Sequence, residues 1–403
     1  MTASNKKAAL NPRQEAQTAK TRERTGKLIN ARQAAFLYIA LVTVYKLVQM
    51  PTVLVERASR DGWLAALILM LWEGLLLVVF VVISVLCPGK TLQDLLGKTV
   101  GKVVTRIIFG LFGLFLFFRL YLSMASSEQF LFTNLYDLGG WLTVGIPIAV
   151  LLVYGVGKGL RAIARAMELV GIIVISITVV GIICMLTQAD FTLLAPVLHD
   201  GGQPLFRAVG SAATGTGEGI LMMLLLGRVE RFRLVRNMAV GYGISTFIVV
   251  GFHLCFYGYY GDTGVHLKYG AALADMLEYM RGSDSLARAD LFVLLALLVL
   301  ILIKLLFYAW GVGVCMRTAL GVKSDTHAAR MLHFAPWALL LVVIELFFQS
   351  QITGLIEAMG TGWAIGIFAV IQVGLPVLAL IAAAVARGRR SKLKKIYHCK
   401  KGT

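Results

Sequence analysis

The sequence predicts an all-α integral membrane protein with about ten transmembrane helices. Hydrophobic residues make up 58% of the 403-residue chain and charged residues 15%, a composition that excludes a water-soluble globular domain. Apolar windows of about 20 residues recur along the chain, and each can cross the hydrocarbon core of a bilayer as a helix. The third observation is the distribution of Lys and Arg between alternate loops, which fits an even number of spans.

The ten predicted spans follow one another with mostly short connections. They lie near residues 34–55, 62–86, 104–124, 141–156, 166–187, 205–227, 238–259, 290–314, 334–349 and 362–385. The longest outer connection, about 260–290, contains LKYGAALADMLEYM. Its apolar residues fall at helical spacing and predict a short helix on the outer surface, with a moving lid or a partner-binding element as the alternative.

Basic residues define the predicted topology. The chain carries 39 Lys and Arg against 21 Asp and Glu. Most of them fall in segments that are cytoplasmic if both termini are, and the outer loops hold few: Arg57, Arg60, Lys268, Arg281 and Arg288. This bias predicts cytoplasmic N- and C-termini and assigns the basic charge to membrane lipid, with no nucleic acid partner. We divide the chain into a basic, disordered tail (1–32), one membrane domain (33–386) and a second basic cytoplasmic tail (387–403).

The sequence contains no motif for catalysis, a metal or a cofactor. Its five cysteines stand singly without CxxC spacing, its six histidines form no ligand pattern, and no Ser-His-Asp, HExxH or P-loop arrangement occurs. We therefore expect neither enzyme activity nor a bound cofactor.

Two predicted spans are interrupted. Span one reads ALVTVYKLVQMPTVLV, in which Pro51 removes an amide donor and predicts that the helix kinks or unwinds near residues 47–50. Span six contains GSAATGTGEG, whose glycines weaken the helix while Ser211, Thr214 and Thr216 can bond to freed backbone groups. The two spans are five apart. Broken helices at corresponding positions of two halves predict a transporter-type site between inverted repeats, facing a water-filled cavity.

Six ionisable side chains lie well inside the predicted spans: Lys46, Glu73, Arg119, Glu218, Lys304 and Glu345. Without partners they would together oppose membrane insertion by roughly 15 to 20 kcal/mol. An opposite charge at about 4 Å recovers on the order of 4 kcal/mol, so we expect these groups to pair or to face water.

Four of the six are candidates for ligand binding, each with a structural alternative. Lys46 binds a ligand or gates the site, or it pairs with Glu218 or Glu73. Glu218 holds a substrate ammonium, carries a proton or neutralises Lys46. Lys304 substitutes for a bound sodium ion or relays a proton, or it forms a packing ion pair. Arg119 either faces the site or snorkels toward the outer surface.

The remaining carboxylates have structural expectations. We expect Glu73 and Glu345 to serve mainly as partners of buried charge, and Glu168 to pair locally with Arg165, three residues before it. The complete predicted ligand-binding set is Thr43, Lys46, Gln49, Arg119, Ser123, Ser211, Thr214, Gly215, Thr216, Gly217, Glu218, Lys304 and Tyr308.

The order of several segments resembles the endospore germination permeases, the B subunits of GerA-type germinant receptors, within the amino acid/polyamine/organocation superfamily. The segments are INARQAAF (29–36), MPTVLVERASRDGWLA (50–65), CPGKTLQDLLGK (87–98), GKGLRAIARAMEL (157–169), LLAPVLHDG (193–201) and GEGILMMLLL (217–226). The resemblance covers roughly residues 29–381.

The resemblance implies a LeuT-like fold of five-plus-five inverted repeats with broken helices one and six. It also implies the inner spore membrane as location, a membrane A subunit and a lipoprotein C subunit as partners, and sensing of a small germinant such as an amino acid. The ligand pocket would lie at the broken parts of spans one and six, beside spans three and eight.

One departure from the related permeases bears on the ligand. Relatives often have glycines at the break in span one, whose amides receive a ligand carboxylate, whereas TVYKLVQMP has none and places Lys46 there. Either the carboxylate meets the Lys46 ammonium, or protein charge fills the pocket and no amino acid binds. The leading hypothesis is a germinant-receptor subunit; the alternatives are a proton-coupled amino acid permease and a structural or channel-forming subunit without a ligand of its own.

Overall fold

The computed structural model describes residues 28–134, 141–199, 201–261, 276, 289–322, 326–348 and 362–399. The predicted outer helix at 267–280 lies outside the described residues apart from Met276, as does most of the N-terminal tail. In the described ranges every named element is a helix, and one isolated β-bridge joins Ile29 to Val229.

The α-helices, numbered in chain order, are α1 (Ala31–Val48), α2 (Met50–Ala58), α3 (Gly62–Leu86), α4 (Leu92–Thr99), α5 (Lys102–Asn134), α6 (Trp141–Lys158), α7 (Leu160–Leu186), α8 (Gly202–Ala213), α9 (Leu234–Tyr260), α10 (Ala289–Leu320), α11 (His327–Phe348) and α12 (Gly362–Cys399). Short 3-10 helices occupy Ser59–Asp61 and Phe191–Leu194, and a longer one occupies Glu218–Leu225. Helix α12 continues without a break into the basic segment after residue 387.

The chain is a multi-pass membrane protein. Within the described residues, eight helices are long and apolar enough to cross a membrane, and a ninth span results if α8 and the 3-10 helix Glu218–Leu225 count as one bent span. The fourth predicted span is a shorter apolar helix, Thr143–Lys158. All ten predicted windows therefore fall on helices, while the ten-span inverted-repeat arrangement stays a prediction.

The burial pattern of α3 is that of a helix between lipid and a polar interior. Five large apolar residues at three- and four-residue spacing are exposed on one face: Leu71, Leu75, Val78, Val82 and Val85. The opposite face is buried and carries Glu73, whose side chain is fully enclosed. Apolar groups outside and a charge inside reverse the pattern of a soluble helix, as contact with hydrocarbon requires.

Span one is interrupted where the sequence predicts it. Helix α1 ends at Val48 and α2 begins at Met50, so that Gln49 is the junction. Pro51 lies in the first turn of α2, where a missing amide hydrogen disrupts the hydrogen bonds of the preceding turn. The helix is therefore interrupted within the predicted range 47–50.

Span six is interrupted more strongly. Helix α8 ends at Ala213, and the 3-10 helix that begins at Glu218 is bent from it by 42°. Gly217 takes a left-handed conformation with φ of 75°, which a side chain would strain. Every residue of Glu218–Leu225 is buried. The break predicted from GTGEG is therefore confirmed, and it lies in the protein interior.

Packing brings the two broken spans together. Helix α1 packs against α7, α9 and α10, while α8 packs against α2 and α3. The Ile29 amide donates to the Arg228 carbonyl at 2.8 Å, and the Glu230 amide donates to the Ile29 carbonyl at 2.9 Å. The entry of span one is thus hydrogen-bonded to the exit of span six.

A buried charge network at the break of span six

The carboxylate of Glu73 satisfies the amides that the break leaves free. Its Oε1 accepts from the amides of Gly217 at 2.8 Å and Glu218 at 3.1 Å, and its Oε2 accepts from the amide of Gly219 at 2.8 Å. Amides at the start of a helix lack partners within that helix and attract an anion. Glu73, which projects from α3, is therefore a carboxylate bound in a backbone anion site.

Lys46 supplies the counter-charge to Glu73. Its ammonium lies 2.9 Å from Glu73 Oε1, and both side chains are fully buried. A second bond, 3.1 Å, runs from the ammonium to the Val42 carbonyl in the preceding turn of α1. Of the partners predicted for Lys46, the structure selects Glu73 and not Glu218.

The carbonyls on the other side of the break are satisfied by two side chains. The Arg119 guanidinium donates to the carbonyls of Thr214 and Gly215, the latter at 2.7 Å. The Gln372 amide, on α12, donates to the Ala213 carbonyl at 3.3 Å and the Thr216 carbonyl at 2.9 Å. Arg119 therefore faces the interior of the bundle and does not snorkel. At membrane depth such carbonyls cannot turn to water, so these donors make the break tolerable.

Glu218 is the meeting point of two cations and a hydroxyl. Its Oε1 lies 2.6 Å from Lys304 Nζ and 3.5 Å from Arg119 Nη2, and it accepts from the Tyr308 hydroxyl at 3.3 Å. Its other oxygen, Oε2, is buried without a hydrogen-bond partner among the described residues. The Lys304 ammonium also lies 5.9 Å from the ring centroid of Tyr45, within cation–π range.

The network holds more cations than anions. Among the described residues, the cations Lys46, Arg119 and Lys304 surround the carboxylates Glu73 and Glu218. With every group ionised, one positive charge remains in excess in an interior where an unbalanced charge is costly. The network is therefore electrostatically complementary to one further anionic group.

Side chains pack closely around the break. A Cβ built at Gly215 would lie 1.9 Å from the Tyr45 ring, and one built at Gly217 would lie 2.3 Å from the Gln372 amide oxygen. A small apolar cavity lies beside the other break, against Leu47 and Phe252. Where the sequence predicts water at the break of span six, the structure thus places Tyr45 and Gln372.

The predicted hydroxyl residues bond to backbone within their own segments. Thr43 donates to the Ile39 carbonyl at 2.7 Å, and the hydroxyls of Ser211, Thr214 and Thr216 each donate to the carbonyl three residues earlier. Gln49 forms the junction of span one, and Ser123 has a half-buried side chain on α5. The charged candidates and Tyr308 come together through side-chain contacts, whereas Thr214 and Thr216 meet the network through their carbonyl groups.

Sequence reasoning missed three contributors to the site. Gln372 and Trp72 are joined by a hydrogen bond of 3.3 Å from the indole to the amide oxygen, and Tyr45 packs on Gly215. Gln372 lies mid-span in FAVIQVGLP, so the rule applied to buried charges would have found it had it included amides. No comparable signal distinguishes Trp72 and Tyr45 from the other aromatic residues of the spans.

Two expectations about carboxylates are corrected. Glu168 does not pair with Arg165 but with Arg32, at 2.9 Å from Nε, and it accepts from Gln33 at 2.6 Å. The local pair lost to a tertiary one because the start of α1 packs against α7. Glu345 meets no cation among the described residues; its carboxyl lies against that of Glu128, away from the central network.

The fold and the site define the class. An all-helical, multi-pass membrane protein that builds a buried charge network on an interrupted span has the construction of a permease. The family model described as "Spore germination protein", that of the spore permeases, matches residues 28–352. The chain belongs to this family, and the match extends from just before α1 past the end of α11. Among curated proteins, none matches the chain significantly.

Proposed function

We propose that this protein is a germinant-receptor subunit that binds a small amino-acid-like solute at mid-membrane and signals its occupancy to partner subunits. Membership of the spore germination family supports the biological setting. The construction of the network supports a solute that carries both charges, and the argument for that solute rests on Glu218 and the cations around it.

One observation carries the proposal: a buried carboxylate oxygen that has no donor among the described residues lies beside two cations. Glu218 Oε2 has unused acceptor capacity, and Arg119 and Lys304 contact the other oxygen. An α-amino acid presents an ammonium and a carboxylate a few ångströms apart. Its ammonium would supply the donor that Oε2 lacks, and its carboxylate would pair with the Arg119 and Lys304 cations, so each charged group of the solute would meet an opposite charge.

The anion site of the broken helix is not the proposed carboxylate site. Glu73 already fills the amides of Gly217, Glu218 and Gly219, and Lys46 neutralises Glu73. The ligand carboxylate therefore goes to Arg119 and Lys304, and Lys46 has an indirect role in holding Glu73. For Lys46 the proposal therefore favours a structural ion pair that shapes the site over direct contact with the ligand.

Binding requires movement of the side chains that pack on the break. Tyr45 covers Gly215 and lies beneath Lys304, so a solute that reaches Glu218 displaces one or both. Displacement would be felt along span six, whose exit is tied to Ile29 at the start of span one. We propose this connection as the route to the partners, an A subunit and a C-subunit lipoprotein, in the inner spore membrane, with both termini cytoplasmic.

The test measures ligand stabilisation of the purified full chain in lipid nanodiscs. Melting temperature is followed with a panel of amino acids, and each stabilising amino acid is compared with its decarboxylated amine and its deaminated acid. We expect stabilisation only by the intact amino acid, and its loss in Glu218→Gln and Lys304→Gln. The control variant Glu168→Gln removes an ion pair outside the network and keeps the response.

Spores that carry the same variants test the signalling step. We expect Glu218→Gln and Lys304→Gln spores to germinate poorly with the cognate amino acid although the protein reaches normal levels. Unchanged responses in both variants, with normal levels, would refute the proposed site.

A proton-coupled permease is the second candidate, favoured by the broken-span architecture that this chain shares with transporters. Uptake into proteoliposomes that depends on a pH gradient would select it over a receptor without transport. If no solute stabilises the chain while it still assembles with an A subunit, a structural or channel-forming role replaces both.

A further inference from the structure

A second buried acidic site lies apart from the central network. Glu128 on α5 and Glu345 on α11 are 0% and 2% exposed. A Cβ built at Gly145, on α6, would lie 3.0 Å from an oxygen of each carboxyl group. The two carboxyl groups therefore lie together against Gly145, where any larger residue would crowd both of them.

Nothing in the described part of the chain neutralises this pair. Both oxygens of Glu128 and Oε1 of Glu345 are buried without a donor among the described residues. Arg119 lies earlier on α5 and contacts span six, while Lys304 on α10 contacts Glu218. Of the titratable and charged groups described on α5, α6, α10 and α11, the remaining one that acts on the pair is Tyr121.

Tyr121 is a third buried polar side chain beside the two carboxyl groups. Its side chain is 5% exposed, it interacts electrostatically with both carboxyl groups, and its hydroxyl has no hydrogen-bond partner among the described residues. Two carboxyl groups and a phenol thus share a buried region with unused acceptor capacity, and the described residues bring no cation to it. Because both side chains are buried, two ionised carboxylates in contact there would repel each other strongly.

We propose that Glu128 and Glu345 form a proton-binding site in which one proton is shared between the two carboxyl groups. The proton forms an O–H bond to one carboxyl and a hydrogen bond to the other, so that the pair carries a single negative charge. Because the partners lie on α5 and α11 and meet over α6, the proton holds these three helices together. By the predicted topology the site lies toward the outer end of the membrane domain, and it does not depend on a germinant.

Proton binding predicts a stability that falls as pH rises. The folded pair binds a proton that the separated carboxyl groups of the unfolded chain have released at neutral pH. The unfolding constant therefore rises by about tenfold per pH unit while the folded state still holds that proton. Acidification would oppose, and alkali would favour, separation of α5 from α11.

The test follows thermal unfolding of the full chain in nanodiscs between about pH 5 and about pH 9, a range that brackets ordinary and shifted carboxyl groups. Wild type should lose stability toward alkaline pH. Glu128→Gln and Glu345→Gln replace the shared proton by an amide donor, so each should flatten this dependence. Glu168→Gln removes a carboxylate that pairs with Arg32, and it should keep the wild-type slope.

A second measurement does not depend on whether the variants fold. Infrared spectroscopy of the wild type should show the carbonyl stretch of a protonated carboxyl group at neutral pH, and the band should disappear in alkali. A missing band, or equal pH slopes in wild type and Glu128→Gln, would overturn the proposal. So would stabilisation by sodium or potassium at fixed pH that Glu128→Gln abolishes, because the pair would then hold a metal cation.

Discussion

The anion site at the break of span six predicts that Glu73→Gln is one of the most destabilising conservative substitutions in the chain. Glutamine keeps the size of the side chain and one acceptor oxygen. It replaces the other oxygen by an NH₂ group, which cannot accept from a backbone amide. Since Glu73 accepts from three amides and from Lys46, at least one amide loses its partner and the Lys46 ammonium loses its counter-charge.

The magnitude follows from the burial of the pair. Removing one partner of a buried ion pair costs about 3 to 5 kcal/mol, because the other charge stays buried without compensation. Lys46→Gln should lower the free energy of unfolding less, by about 3 kcal/mol, since Glu73 keeps its three backbone donors in that variant. The order of the two losses, with Glu73→Gln above Lys46→Gln, is specific to a carboxylate held by a helix break.

The assay is reversible unfolding of the full chain in mixed micelles, with Glu168→Gln as the matched control. Glu168 is also a carboxylate between an arginine and a glutamine, but its partner Arg32 is 62% exposed, so the control should change stability by about 0 to 1 kcal/mol. Equal effects of Glu73→Gln and Glu168→Gln would refute the reasoning. A larger loss in Lys46→Gln than in Glu73→Gln would show that the amides contribute little.

Three further predictions use other parts of the structure. Gly217→Ala places a side chain on left-handed backbone, 2.3 Å from the Gln372 amide oxygen, and should abolish stable expression. The control Gly243→Ala adds a methyl group where the structure has open space, and it should keep expression. Membrane immunoblots measure both. Gln372→Leu removes the described donor of the buried Thr216 carbonyl, whereas the Ala213 carbonyl keeps the Thr216 hydroxyl, so it should lower the free energy of unfolding by about 1 to 3 kcal/mol. Hydrogen bonds from the Thr192 hydroxyl and amide lower the pKa of Asp190. The Asp190 carboxylate therefore accepts these bonds fully above the pKa of an unfolded Asp, and the bonds are lost as pH falls through the lower pKa of the folded state. Hydrogen exchange should show protection of the Thr192 amide falling with acid in wild type and low at every pH in Asp190→Ala.

Much of the fold was accessible from sequence because hydrocarbon imposes a simple rule. Each apolar window had to be a helix, and the interruptions at Pro51 and GTGEG had to break helices. The same rule identified Lys46, Arg119, Glu218 and Lys304 as interior groups. The free energy needed to place a charged side chain in the membrane depends on the residue type and on its position in the span, and the sequence gives both.

The choice of partners was not accessible in the same way. That Lys46 meets Glu73 and Lys304 meets Glu218 depends on the rotation and height of α1, α3 and α10, which hydropathy does not fix. The sequence did not predict a buried Glu128, because this residue follows the apolar window of span three in the polar segment LSMASSEQF. Its burial against Glu345 comes from the packing of α5, α6 and α11.

The repair of the broken span bears on how a ligand would act. Glu73, Arg119 and Gln372 satisfy the backbone on both sides of the break, so the conformation of span six depends on side chains from α3, α5 and α12. A solute that contacts the network also changes the stability of the hydrogen bonds that hold the break in its conformation. Ligand binding and a shift of span six are then thermodynamically linked, because a ligand shifts an equilibrium by its differential affinity for the two states. Under the proposed function, this linkage would let ligand binding shift span six without transport of the solute.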